Sequence, residues 1–262
     1  MIRIELRKQL RRTGYWVVLG ILTAVSVVVT VIIGLTSAAT PERLGDYGSV
    51  VPKSSGLSMA LIALNALLLF LLPLAVAVFA GESVAGESSW GSLRYLLARR
   101  ISRRRLLASK VAVAGLYALA AVVLVAVAGL VSGIVAFGWH PLPVIDLQHA
   151  SPFASGVSVF SPLQGLARVG LATAIVAGTM VSTFAFAILC STLTDRPFSA
   201  VAGAVFMVFV SRALDNIPGL HALGPWLPVT DKGTGLWTQL FSQPAYFTGY
   251  PHLALVHGVY TV

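Results

Sequence analysis

Four runs of this chain, 15–36, 57–80, 106–138 and 165–190, carry at most one charged side chain each. Each is as long as the ~20 apolar residues that cross a ~30 Å hydrocarbon layer. Lipid offers backbone N–H and C=O groups no partner, so such runs must be helices that satisfy themselves. The whole chain is 57% hydrophobic and only 10% charged, against about 25% charged in soluble domains. A solvated single-core domain is excluded, and no polar stretch is long enough to form a separate one.

Two further apolar segments, 197–214 and 251–262, complete an expected set of six membrane helices. The last is short for a span and is read as a truncated sixth helix. Residues 1–39 imitate a secretory signal, but the apolar run from Tyr15 to Leu35 is too long for a signal core. It is read as an uncleaved first helix. Cys190 is the single cysteine, so no disulfide can form within the chain.

The net charge is +9, and the basic residues sit at helix ends. They therefore read as topology signals and not as a nucleic-acid footprint. Arg3, Arg7, Lys8, Arg11, Arg12, Arg94, Arg99, Arg100, Arg103, Arg104, Arg105, Lys110 and Arg196 fall on one side of the expected helices. Arg43, Lys53, Arg168, Arg212 and Lys232 fall on the other. The positive-inside rule places the N-terminus and residues 81–105 in the cytoplasm, in a plasma (inner) membrane. Within residues 1–14, Ile2, Leu6 and Leu10 recur every four positions beside a stripe of Arg3, Arg7 and Arg11. That spacing predicts an interfacial helix with basic side chains toward lipid phosphates.

The outer segments differ. Residues 37–56 and 139–164 are rich in Pro, Ser and Gly. Residues 215–250 mix Trp226, Trp237 and several leucines with Pro218, Pro225 and Pro228. This suits short re-entrant helices at the membrane rim. His140, Asp146 and His149 are the nearest approach to a metal-ligand cluster, but their spacing matches no common site, so no metal is expected.

Catalytic patterns are missing. There is no phosphate loop, no H-E-x-x-H and no G-x-S-x-G, so no catalytic residue is assigned, and any ATP chemistry belongs to another chain. The centres of the expected helices hold no ionisable side chain. Asn65 is the most polar residue there, and it is expected to bond a neighbouring helix. Ion-coupled transport is therefore weakly supported. Gly129 and Gly133, and likewise Gly170, Ala174, Gly178 and Ser182, are spaced for close helix packing, expected within one subunit. Pro73 should kink the second helix.

The densest charge lies in "FAGESVAGESSWGSLRYLLARRISRRRLLASK", residues 79–110. Glu82 and Glu87 stand beside many arginines, and Ser88 or Ser89 can cap a new helix. Along it Trp90, Leu93, Leu96 and Leu97 form an apolar stripe, with Arg94 and Arg99 pointing elsewhere. A membrane anchor alone needs neither the carboxylates nor the stripe. The stripe fits a surface helix that docks in a partner's groove.

This segment resembles the cytoplasmic region of ABC-2-type permeases, the membrane subunits of ATP-binding-cassette exporters. The family pattern is an acidic residue, then G-[TS]-L-R-x-L-L, then [PR]-[VI]-S-R, then a lysine opening the third helix. Glu82 or Glu87, Gly91, Ser92, Leu93, Arg94, Leu96, Leu97, Ile101, Ser102, Arg103 and Lys110 fit it, with Arg100 where the family usually has proline. "IELRKQLRRTGYWVVLG", "LPLAVAVFAGE" and "ILCSTLTDRPFSAVAG" are similar to its interfacial helix, second helix and fourth-to-fifth turn.

The resemblance implies an all-α exporter of the ABCG-like type. Its parts would be the interfacial helix 1–14, six membrane helices, a coupling region at 82–105 and a re-entrant segment at 215–250. Two permeases, identical or paralogous, would work with two ATPase subunits that bind ATP and Mg. Glu82, Glu87, Trp90, Gly91, Ser92, Leu93, Arg94, Leu96 and Leu97 would contact the ATPase. Arg3, Arg7, Arg11, Arg103, Arg104 and Arg105 would anchor to the bilayer. The alternative is a membrane-embedded enzyme or an assembly subunit.

Overall fold

A computed structural model of the chain describes residues 6–7, 9–39, 55–89, 103–145, 157–194 and 196–215. Among the described residues six helices make the body: α1 Thr13–Ala39, α2 Gly56–Leu68, α3 Leu71–Ser89, α4 Arg103–Phe137, α5 Pro162–Leu193 and α6 Pro197–Asp215. A short antiparallel hairpin, β1 Leu142–Ile145 and β2 Val157–Phe160, lies between α4 and α5 and pairs Leu142 with Phe160.

Among the described residues three helical stretches are long and apolar enough to cross a membrane: Thr13–Leu35, Arg104–Phe137 and Pro162–Leu193. The pair α2 and α3 makes a fourth if it is counted as one broken span. α1 is rich in β-branched residues, which are poor helix formers in water. The unbroken helix follows from the need to satisfy every amide internally in lipid. The expected second helix, 57–80, is broken at Leu69–Phe70 and bent by 61°. Pro73 has no N–H for the Leu69 carbonyl, and its ring presses on that same group. The ladder resumes where Leu74 donates to the Phe70 carbonyl at 3.1 Å. Beyond the break the helix continues to Ser89, well past the expected boundary at residue 80. The fifth expected helix is present as α6, but its apolar stretch Pro197–Ser211 is shorter than a span. The expected sixth helix and the re-entrant segment lie outside the described residues.

α2 and α4 cross at small residues. A Cβ on Gly129 would sit 2.9 Å from Ala63 Cβ, and one on Gly56 would sit 2.7 Å from Ile134 N. The expected packing within one subunit holds here. It does not hold on α5. Gly170, Ala174, Gly178 and Ser182 are exposed, and a Cβ on Gly170 or Gly178 would meet nothing within 4 Å. Asn65 likewise sits on the exposed side of α2, where the sequence led to an expected bond with a neighbouring helix. α1 and α4 are tied by hydroxyls: Thr30 and Ser132 lie 2.9 Å apart, and Ser26 donates to the Val125 carbonyl at 3.3 Å.

At one end of the bundle, Gly138 takes φ +79, the left-handed turn that suits glycine after a helix. Its carbonyl accepts from Gly56 N at 3.2 Å, and the Ser55 hydroxyl donates to the His140 carbonyl at 2.8 Å. The hairpin that follows buries Leu142 with Leu57 and Val169. Proline-rich composition alone read this segment as loop. α5 then starts in a capping box between Ser161 and Gln164, with Pro162 in the first turn. The box satisfies N–H groups that a helix start leaves open, and Pro162 has no N–H to leave open.

Candidate functional site: the end of α3

The opposite end of the bundle gathers the chemistry. Its foundation is aromatic. Tyr15 of α1 stacks on Tyr117 of α4 with ring centroids 5.1 Å apart, and Phe79 of α3 lies 5.1 Å from Tyr15. Above these rings, residues 81–86 of α3 are held from four directions.

From α1's N-terminal side, Arg12 Nη1 lies 3.9 Å from Glu82 Oε2, with both side chains over a third exposed. Such a pair contributes ~0–1 kcal/mol. A Cβ on Gly86 would sit 3.7 Å from that guanidinium, so a small residue leaves it room. From α4, Lys110 Nζ donates to the Ser83 carbonyl at 3.3 Å. Lys110 is 2% exposed, which is costly for an ammonium that is not well partnered. From α5, the buried Ser191 hydroxyl donates to the Gly81 carbonyl at 2.6 Å. The same oxygen accepts from Ala85 N at 3.0 Å and from Val84 N at 3.3 Å. It thus sits within the helical ladder step between Gly81 and Ala85. From α6, Val201 Cγ2 comes so close that a Cβ on Gly81 would meet it at 2.9 Å. Ala77, Ala80, Ala187 and Ala204 form the small-residue packing around this crossing.

The arrangement holds the backbone of α3 in place. Among the described residues no group of three or more metal-ligating side chains comes together. The cations and hydroxyls near α3 are engaged with its backbone and with Glu82. Ser191→Ala should therefore cost about 0.6–1.7 kcal/mol, the range for interhelical hydrogen bonds in membranes. Ser191→Leu should cost more, because the site is 1% exposed and overpacking strains it. Thermal unfolding in detergent reads both, and equal midpoints for the two variants would refute the placement of Ser191 between Gly81 and Ala85.

The expected site residues fall as follows. Glu82 is described, and it lies within α3 and not after it. Glu87 is in the last turns of α3, but its side chain lies outside the described residues. So do Trp90, Gly91, Ser92, Leu93, Arg94, Leu96, Leu97 and Arg3. Arg7 and Arg11 are exposed beside the start of α1, and Arg104 and Arg105 are exposed in the first turn of α4. Arg103 opens that turn, with its side chain outside the described residues. Three arginines at a helix N-terminus oppose the helix dipole. Anionic lipid at that end would compensate for them. The sequence marked Lys110 as a topology cation and as the lysine that opens the third helix in the family pattern, and its burial is decided by α3. Ser191, in "CSTL", has no distinguishing neighbourhood in sequence.

The family model described as "Protein of unknown function (DUF2705)" matches residues 45–217. That match takes in α2 to α6 and the whole 81–86 junction. No curated protein and no solved structure matches the chain. A helical protein with several segments fit to cross a membrane, it belongs to the DUF2705 family.

Proposed function

We propose that this chain is the permease subunit of an ATP-driven exporter of the ABC-2 type, coupled to a separate ATPase chain. In this reading six helices cross the plasma membrane, with an interfacial helix before the first and a re-entrant outer segment before the sixth. The N-terminus faces the cytoplasm. Residues 82–105 form the coupling region, and two permeases with two ATPases make the working unit. ATP and Mg act on the ATPase.

One observation carries the reading. Residues 81–86, which precede the charge-rich segment 90–102 in sequence, are gripped by four other parts of the chain through Arg12, Lys110, Ser191 and Val201. A push delivered to residues 90–102 would reach all of them together. A mere anchor would not require its root to be tied so widely. The basic ends of α1, α4 and α6 meet at this same end of the bundle, as a cytoplasmic face would need.

The test is capture of a Walker-motif ATPase with the tagged chain from mild detergent. The chain alone should hydrolyse no ATP, and export should persist when the proton gradient is collapsed with ATP maintained. Export that follows the gradient would refute the reading. Topology is checked separately. With Cys190→Ser, single cysteines at Ser155 and Ser242 should label from outside, and one at Ser88 only after permeabilisation. External labelling at Ser88 in intact cells would reverse the orientation.

A further inference from the structure

The Pro73 break opens a cavity of about 360 Å³ between α3 and α6, lined by Leu69, Phe70, Pro73, Leu74, Val205, Val208 and Phe209. We propose that this cavity binds one acyl chain of a lipid from the surrounding bilayer.

Depth is the first argument. The break lies 13 residues into the α2–α3 pair, with α3 continuing to Ser89. At 1.5 Å per residue that is roughly 20 Å from Gly56 and more than that from the far end. The cavity therefore lies well away from both ends of the pair. Chemistry is the second. Every lining side chain is apolar, and apolar cavities stay dry and take apolar guests.

Access is the third argument. Leu69, Phe70 and Phe209 at the rim are 49%, 42% and 54% exposed, while Val208 at the back is buried. The mouth is thus continuous with the outer apolar surface of α6, where Phe206 is also exposed. The Phe70 and Phe209 rings stand 5.8 Å apart at 45° and join the unwound turn to α6. Size is the fourth. The volume is at the low end of the ~300–1,000 Å³ of ligand pockets. It admits one chain and excludes a whole phospholipid, whose glycerol and headgroup would stay at the interface. An unbroken α2–α3 helix would not leave this recess, so the site depends on Pro73.

The experiment replaces Phe209 with benzoylphenylalanine in protein reconstituted into vesicles of palmitoyl-oleoyl phosphatidylcholine. After illumination, mass spectrometry identifies what is joined. The expected product is a phosphatidylcholine adduct on the acyl chain, and it should be mostly lost when Val205→Trp or the smaller Val205→Phe fills the cavity. The same probe at Phe198, 89% exposed, reports bulk lipid. Its adduct should be unchanged by either filling variant, and a single monodisperse size-exclusion peak in detergent shows that each variant is still folded. Adduct at Phe209 that survives both fillings means ordinary boundary lipid and overturns the proposal. A covalent dimer, or a link to a peptide from residues 216–262, overturns it as well by naming a different occupant.

Discussion

Gly133→Leu is expected to leave no folded protein. A Cβ at this position would sit 2.5 Å from the Gly56 carbonyl oxygen and 2.6 Å from Met59 Cβ. The first of these belongs to backbone, so α2 itself would have to move. It cannot move freely, because Gly56 N is bonded to the Gly138 carbonyl at 3.2 Å and the Ser55 hydroxyl to the His140 carbonyl at 2.8 Å. Overpacking typically costs 1–3 kcal/mol, and a leucine against a fixed backbone belongs above that range. In lipid no hydrophobic force between helices offsets the lost contact, because tails solvate leucine equally well. Gly133→Ala should lower the thermal midpoint and still give a single monodisperse species. Gly170→Leu is the control, since open space surrounds that position. Size-exclusion profile and thermal midpoint in detergent distinguish them. If Gly133→Leu and Gly170→Leu behave alike, the α2–α4 crossing is not as described.

Leu93→Asp or Leu97→Asp should abolish capture of the ATPase while leaving the chain folded and correctly oriented. Trp90, Leu93, Leu96 and Leu97 form the apolar stripe of the proposed coupling helix. Burying one leucine in a partner's groove contributes ~1.5–3 kcal/mol. An aspartate there forfeits that and adds the cost of an unpaired, desolvated carboxylate. Glu87→Ala and Arg94→Ala should be milder and sensitive to salt, as rim contacts are. Neutralising Arg103, Arg104 and Arg105 together should act differently. Each contributes ~1 kcal/mol of attraction to an anionic surface, so insertion or orientation should weaken before ATPase capture does. Pull-down from detergent, with orientation checked by cysteine labelling on the same samples, reads all of these. Full capture and transport in both aspartate variants would reduce the stretch to an anchor.

Residue type and run length by themselves determined a good deal about this protein. Uninterrupted apolar runs required helices at 13–39, 103–137 and 162–193, because lipid leaves a backbone no other way to satisfy its amides. Pro73 determined that the second run must kink, since its ring carries no N–H and presses on the carbonyl four residues before it; that the kink is a full break was left to the structure. The cations Arg11, Arg12, Arg104, Arg105 and Arg196 mark helix ends that meet at one end of the bundle. None of this needs knowledge of which helix touches which.

The faces were decided only in the tertiary structure. Gly129 and Gly133 have the same spacing as Gly170, Ala174 and Gly178, yet the first pair is pressed against α2 and the second set looks outward. A soluble helix would betray its inner face by an apolar stripe, but a membrane helix is apolar all round and carries no such record. Lys110 is buried because α3 brings the Ser83 carbonyl to it, and Ser191 matters because Gly81 and Ala85 lie opposite it. Both are contacts between residues far apart in the chain, and local pattern holds no information about such pairs. The hairpin at 142–145 and 157–160 depends likewise on Leu142 finding Leu57 and Val169 beneath it.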